Sequence, residues 1–480
     1  MTTKRQSDLP VVALKWLTAM EPRGKRHETR LRKRVPYTEM EIATETKLIL
    51  IAKKARENKK LRFTSLMHHL NFEYLEKCYE ELKQGRAAGI DGRSKESYTE
   101  EEIKGILQTI IQELKERTYR PDPVKRVYIE KPGQNKKRPL GLPTVKDKIL
   151  QMGVKKILEA IWEANFLECS WGYRPKRNAH GALKEVNHLI MQKKINYVID
   201  ADIQSFFDTM DHQWLMEFLT QRISDPHFKS LIWKFLKSGI LESGTYRETT
   251  KGTPQGGIVS PLLANIYLHY VLDVWFYGKV KKELKGEAQL IRYADDFIIG
   301  FQYREEAQRV LAQLKARLAQ FQLKLSEEKT RIIEFGRFAE ENAKKKGEGK
   351  PMTFDFLGFT HYCSRTRDGR FKLGVKTSKK SAKKSFKAMN DWFKSIRNVA
   401  QQKQIWETLK AKLTGHYEYY GISGNFESIY QFYYRTERIA YKWLNRRSQK
   451  KSFNWESFRR YVERYPLPRP ELKFQIYNTW

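Results

Sequence analysis

Two adjacent acids, Asp295 and Asp296, sit within Leu290-Ile291-Arg292-Tyr293-Ala294-Asp295-Asp296-Phe297-Ile298-Ile299-Gly300. Apolar, β-prone residues flank them on both sides, which predicts a β-hairpin with the acids at its turn. Carboxylates displayed there can hold hard divalent cations, and paired Mg²⁺ ions perform phosphoryl transfer. Taken alone, the four-residue turn reads equally well as a solvated Asp-Asp loop. Two-metal chemistry needs carboxylates converging from separate strands, with the ions roughly 3.5–4 Å apart. Asp202, closing the apolar run Tyr197-Val198-Ile199-Asp200-Ala201-Asp202, is the strongest candidate for the second acid, and Phe206-Phe207 just after it could wall a nucleotide pocket. Asp200, Asp208 and Asp211 are its rivals; strand alternation puts Asp200 and Asp202 on one face.

Between the two acidic segments lies Gly252-Thr253-Pro254-Gln255-Gly256-Gly257. A glycine-rich turn allows close backbone approach to a ligand, and the Gln255 amide could contact a base, sugar or phosphate. Lys131 and Arg138 lie on a basic hairpin formed by Tyr128–Gly133 and Arg138–Pro143, where they could hold a triphosphate. Lys329 could protonate a departing pyrophosphate. The competing readings are a plain loop, solvated cations and a surface lysine.

These residues need elements to hold them. Ser260-Pro261 predicts a helix start, Ser as N-cap and Pro at the first position, followed by an apolar stripe of Leu263, Ile266, Tyr267, Tyr270 and Val271. Further helices are expected from about Lys146 to Ala164, and over Ala307, Val310, Leu311, Leu314 and Leu318. Strand patterns end at about Leu373, and the remaining C-terminal quarter reads as helical, with Lys379, Lys380, Lys383 and Lys384 close together.

The chain has 480 residues, with 92 Lys and Arg against 56 Asp and Glu, a net charge of +36. Such an excess points to a polyanion, because each phosphate neutralised releases a counterion. A membrane surface is the rival partner, but no run of about 18 apolar residues would span a bilayer, and the N-terminus lacks the apolar core of a secretory signal. Cys78, Cys169 and Cys363 are too widely spaced for a zinc pattern or a disulfide framework, which fits a reducing compartment. Aromatics are 13% of the chain, and towards the C-terminus Trp and Tyr mix with bases, a composition suited to stacking on nucleobases while pairing phosphates. The first 60 residues carry basic clusters at 23–26 and 30–34, suited to a phosphate-contacting arm.

The ordered set of motifs resembles the reverse transcriptases encoded by group II introns, the intron maturases. It comprises Gly89–Gly92, Arg138–Thr144, Trp171–His180, Asp202–Asp208, Gly252–Asn265, Tyr293–Asp296, Leu325–Thr330 and Phe356–Phe359, with weaker matches at Gly415–Ile422 and Leu444–Ser448. The resemblance implies an α+β right-hand polymerase: fingers and palm of antiparallel sheet plus helices over 61–365, then an α-helical thumb/maturase domain over 366–447. A basic extension (1–60) precedes them and a short basic tail (448–480) follows. It implies two Mg²⁺ ions, with Mn²⁺ as a substitute, on Asp202, Asp295 and Asp296, with Ile203 in the same metal set and Lys329 in the catalytic set. Phe207 falls at the steric gate against a ribose 2′-OH; Lys131, Arg138 and Gln255 join it as nucleotide-binding positions. Phe356, Leu357, Gly358 and Phe359 match the primer grip. Arg174, Lys379, Lys380, Tyr417, Tyr420, Arg446 and Arg447 are candidate RNA contacts, helical core being the rival reading for the two tyrosines.

The expected partners are structured intron RNA, a DNA primer or target, and dNTPs, without a membrane, in a bacterial cytoplasm or nucleoid. Many relatives end in a Cys- and His-bearing endonuclease domain. Here the last cysteine is Cys363, so that domain and second-strand cleavage are expected to be missing. The rival functions are a related reverse transcriptase serving phage defence or DNA repair on a non-intron RNA, and a non-catalytic splicing factor. Intact Asp202, Gln255, Asp295 and Asp296 argue against the second rival.

Overall fold

The structure, a computed structural model, describes residues 39–130, 137–447 and 452–477. Its helices begin with α1 (Glu39–Glu57), α2 (Phe72–Glu80), α3 (Glu100–Lys115), α4 (Val145–Trp162) and α5 (Ala179–Gln192). Then come α6 (Phe206–Thr209), α7 (His212–Thr220), α8 (Pro226–Leu236), α9 (Ser260–Leu268), α10 (Val274–Gly278), α11 (Arg304–Gln320) and α12 (Ala339–Lys345). The C-terminal helices are α13 (Lys379–Ile396), α14 (Gln402–Tyr420), α15 (Phe426–Leu444) and α16 (Trp455–Arg464). The chain divides into two compact units: 198–332 pack with the described residues up to 175, and 176–197 with those from 333 onward.

In the first unit, β1 (Val124–Glu130) and β2 (Lys137–Leu142) form the expected basic hairpin, antiparallel from Lys125↔Leu142 to Glu130↔Lys137. It extends through β4 (Ile240–Glu242) and β5 (Thr245–Arg247) in the order β2-β1-β4-β5. This sheet is mixed rather than antiparallel throughout, because β1 and β4 run parallel. Local chemistry starts the helices around it. Thr99 and Glu102 close a reciprocal capping box on α3, whose buried stripe is Ile103, Leu107 and Ile110. Asp225 caps α8 through the His227 and Phe228 amides while also accepting from the Leu66 and Met67 amides, so one buried carboxylate ties segments about 160 positions apart.

The sheet that carries the acids runs β6-β7-β3-β8, from β6 (Ala288–Tyr293), β7 (Asp296–Phe301), β3 (Tyr197–Asp202) and β8 (Arg331–Glu334). Phe297 to Phe301 are all buried, so β7 is covered on both faces, as its unbroken apolar run requires. Helix α9 packs nearby, and its start differs from the expected one. Val259 holds the N-cap position and Ser260 is the first helical residue. The Ser260 hydroxyl instead donates to Pro254 O (3.0 Å) and accepts from Thr253 Oγ1 (2.8 Å), binding the helix to the glycine loop. The stripe expected to continue as regular helix passes into a π turn at His269–Asp273 before α10.

The second unit contains the sheet β11-β10-β9, made of β9 (Phe354–Phe356), β10 (Phe359–Arg365) and β11 (Phe371–Thr377). Strand structure therefore runs four residues beyond Leu373, and the 365/366 boundary falls inside the β10–β11 hairpin. Helices α13, α14 and α15 bury Met389, Trp392 and Phe393, then Ile405, Leu409 and Leu413, then Ile429, Phe432 and Trp443, an apolar seam at helical spacing. Among the described residues no helix is long and apolar enough to cross a membrane.

Candidate active site

Tyr293 pairs with Asp296, which leaves Ala294 and Asp295 as a two-residue hairpin loop. Asp295 is in the loop and Asp296 opens β7. Ala294 has φ +56°, a left-handed conformation that costs a residue with a Cβ roughly 1 kcal/mol. Two features hold the loop. A Cβ on Gly172 would lie 2.6 Å from Ala294 N, so only glycine lets that backbone sit beneath the turn. The Arg292 guanidinium, fully buried, donates to Ala294 O at 3.0 Å. Burial opposes the charge on Arg292, but the Asp273 carboxylate outweighs it and raises the guanidinium pKa. Sequence reasoning gives Gly172 only within the Trp171–His180 motif and passes over Asp273; the signal in Arg292 was a lone charge inside an apolar strand.

Asp202 closes β3, the strand next to β7. Helix α9 touches both acidic segments. The Tyr267 ring lies 6.1 Å from that of Phe206, four residues beyond Asp202, while Asn265 binds Arg292. Helix α9 thus packs against the segment that follows β3 and the strand that precedes the hairpin loop. Lys329 forms an ion pair with the Asp202 carboxylate. Its backbone holds the same neighbourhood: Ser326 N donates to Asp202 O and Gln204 N to Lys324 O, leaving Ile203 opposite Leu325 in an antiparallel bridge. In that arrangement the Ile203 carbonyl points away from Leu325, the only way this residue offers an oxygen. The rival acids have other partners: Asp200 pairs with Arg331, Asp208 accepts from Gln255, and Asp211 caps α7 through Trp214 N. Among the described residues no group of three or more His, Cys, Asp or Glu stands together as a ready cation cage. Like charges resist convergence without a cation between them.

Beside Asp208 a cavity of about 330 Å³ is lined by Arg126, Gly141, Phe207, Thr253 and Gln255. The glycines of the Gly252–Gly257 loop serve protein contacts rather than open space for a ligand. A Cβ on Gly252 would lie 2.7 Å from Phe207 O, and one on Gly256 2.4 Å from Gly141 O. Thr253 N donates to Phe207 O and Gly141 N to Gln255 O, so the loop straps the Phe207 segment to β2. Lys131 lies outside the described residues; Arg138 is in β2, opposite Ile129, with its side chain outside them too.

Phe356 and Phe359 pair across a tight turn in which Leu357 and Gly358 both have positive φ, 51° and 81°. Tyr419 Oη donates to Leu357 O at 2.9 Å, fixing this turn against α14.

Three expected RNA contacts are corrected. Arg174 is 6% exposed and bonds Glu163 together with the carbonyls of Leu167 and Ser170, so it is a structural cation. Tyr417 and Tyr420 are each 2% exposed and form helical core. Lys379 and Lys380 are exposed in the first turn of α13. Arg446 is exposed over the Trp443 ring, and half-buried Arg447 donates to Ala400 O.

The reverse transcriptase (RNA-dependent DNA polymerase) family matches residues 129–361. The group II intron-encoded protein LtrA of Lactococcus lactis subsp. cremoris is 32% identical over 468 aligned positions, covering 82% of this chain and 76% of that protein. Protein YkfC of Escherichia coli (strain K12) is 34% identical over 45% of this chain and 64% of its own length. An uncharacterized 91 kDa protein in the cob intron of Schizosaccharomyces pombe is 37% identical over 39% of this chain and 23% of its own length.

Proposed function

The chain belongs to the group II intron-encoded reverse transcriptases and is an RNA-directed DNA polymerase, and from that premise we propose that it binds its intron RNA, assists its splicing and copies it into DNA at Asp202, Asp295 and Asp296. The observation that carries the site is the adjacency, in one sheet, of β3, which ends at Asp202, and β7, which opens at Asp296. Brought together around an ion, the three carboxylates and the Ile203 carbonyl would supply hard oxygen donors, which suit Mg²⁺ and also Mn²⁺. When bound, such ions lower the pKa of the attacking 3′-hydroxyl and offset charge developing on the phosphates.

The chain's own residues do the rest. Phe207 and Gln255 line the cavity beside Asp208, where Phe207 would meet a ribose 2′-hydroxyl and Gln255 the incoming nucleotide. Arg126 lines that same cavity and adds positive charge for a triphosphate, alongside Arg138 and Lys131. Lys329 would move from Asp202 to the departing pyrophosphate and deliver a proton. The Leu357–Gly358 turn would seat the primer. Exposed Lys379, Lys380 and Arg446 would contact RNA phosphates, and Arg447 would join them at the rim. Residues from 61 to the end of the β10–β11 hairpin would act as fingers and palm, the helices from α13 to 447 as thumb and maturase, and the basic ends 1–60 and 448–480 as further RNA-binding segments. A bacterial cytoplasm or nucleoid is the proposed setting.

Asp202→Ala and Asp295→Ala are expected to abolish dNTP incorporation on a primed RNA template while leaving RNA affinity near normal. Wild-type extension by either variant would overturn the site. Sequencing the RNA that copurifies with the protein tests the intron assignment; recovery of only a non-intron RNA would replace it with a host role.

A further inference from the structure

Arg292 has five N–H groups, and the structure shows five acceptors for them. Nε donates to Asp273 Oδ1 (2.8 Å) and Nη2 to Asp273 Oδ2 (2.6 Å). Nη2 also donates to Ser170 Oγ (2.8 Å), and Nη1 donates to Asn265 Oδ1 (2.9 Å) and Ala294 O (3.0 Å). Every donor of this fully buried cation is therefore satisfied within the protein, and none remains for a substrate. Its partner Asp273 is equally buried.

How Asp273 reaches Arg292 follows from helix winding. Asn265 and Asp273 are eight residues apart. At about 100° per residue a regular α-helix would rotate them by about 800°, leaving their side chains about 80° apart. The π turn at His269–Asp273 inserts one residue into that stretch, so eight residues advance like seven, about 700°, and the two side chains come within about 20° of one line. Both then face the guanidinium. Asn265 also donates through Nδ2 to the carbonyl of Gly172, the residue pressed beneath the Ala294 amide.

We propose that Asp273 and Arg292 are positioning residues for nucleotidyl transfer: the π turn aims Asp273 at Arg292, and the pair fixes the left-handed Ala294 loop and with it the relative placement of the Asp295 and Asp296 carboxylates. This rests on the reading of Asp202, Asp295 and Asp296 as the metal-binding acids. A buried ion pair seldom outperforms an apolar pair of the same shape in stability alone. What an apolar pair cannot supply here is a donor for the Ala294 carbonyl.

The test uses that difference. In the full-length protein, Arg292→Met combined with Asp273→Leu removes both buried charges together and is expected to melt cooperatively and bind RNA as the wild type does. Its kcat is expected to fall about 10–100-fold with the dNTP KM changed by less than about threefold, and Mn²⁺ binding without nucleotide, read by electron paramagnetic resonance, to weaken about 10-fold or more. Arg292→Lys keeps a charge without the planar fork and is expected to show the same direction. A folded double variant with wild-type kcat and Mn²⁺ affinity would overturn the proposal. If the double variant does not fold, Arg292→Lys, which keeps a buried charge beside Asp273 but lacks the fork that reaches Ala294 O, carries the same comparison. Asp295→Asn is run alongside. Normal polymerisation by Asp295→Asn would refute the site itself, whereas an inactive Asp295→Asn beside an unaffected double variant refutes only the positioning role.

Discussion

Lys329 and Asp202 form a contact that the proposed chemistry must break, since a lysine held on the Asp202 carboxylate cannot also serve the leaving group. Lys329→Ala is expected to lower kcat by about 100-fold, the range of a lost general acid, with RNA binding unchanged. Single-turnover incorporation measures it, and an unaltered rate would remove Lys329 from the mechanism. Phe207→Val should widen the cavity wall and raise ribonucleotide use relative to deoxyribonucleotides by about 10-fold or more. Arg174→Ala should act differently: its Glu163 partner and two carbonyls lose their donor, so stability falls by roughly 2–3 kcal/mol while RNA affinity per folded molecule holds. The resemblance made Arg174 a candidate RNA contact. Its burial depends on Glu163 and on a carbonyl cluster brought round by the turn, and composition does not encode that.

The hairpin was legible at the scale of elements because apolar runs on both sides of two acids admit few other structures, and β6 and β7 pair in that register. The glycine loop was legible as a loop but not in its purpose. Gly252 and Gly256 are required by the Phe207 and Gly141 carbonyls, which approach from elements about 45 and 115 positions earlier in the chain. The π turn was invisible for a related reason: inserting one residue alters no residue type in the stripe and changes only which way the side chains beyond it face. Helix α13 makes an expectation of its own. Lys379 and Lys380 occupy its first turn, where the helix dipole disfavours cations by about 0.3–1 kcal/mol each. Replacing both with Ala should leave thermal stability level or higher, yet reduce the slope of log affinity for RNA against log salt by about 1.4–1.8. An unchanged slope would show that these lysines touch no phosphate.

Acid sensitivity is a property of the whole molecule. Burial lowers the pKa of His361 and of His416 to about 3; burial also dominates at His269, where Asp273 pulls the other way and the value settles at about 4. Each folded value lies below the ordinary 6.5, so the unfolded chain takes up more protons as pH falls from about 6.5 towards 4, and stability drops over that window. Asp147 works in the opposite sense. Burial raises it to about 6, so the folded state holds its proton more readily between about 6 and 4. His69, His180 and His212 are lowered by burial as well, against Glu437, raised like Asp147, so the imidazoles prevail and the melting temperature is expected to fall from pH 7 to pH 5. His416→Phe, at a ring already stacked 3.6 Å from Phe432, should flatten that slope. Scanning calorimetry across the range decides it, and a flat wild-type profile would discount the buried histidines.

The sequence by itself carried the reaction class through its ordered motifs, because those around Asp202, Gln255, Asp295, Asp296 and Lys329 together resemble the intron reverse transcriptases where each alone admits a plain strand end, turn or loop. It also determined the partner class, since a net charge of +36 seeks a polyanion wherever the chain folds. Only the tertiary structure decided which charged and aromatic residues face inward. Arg174, Tyr417 and Tyr420 left the surface, while Asp273 and Arg292 became one buried pair under the Ala294 loop. Local sequence carries side-chain chemistry and element period, whereas burial and aim are set by segments distant in the chain that close on one another.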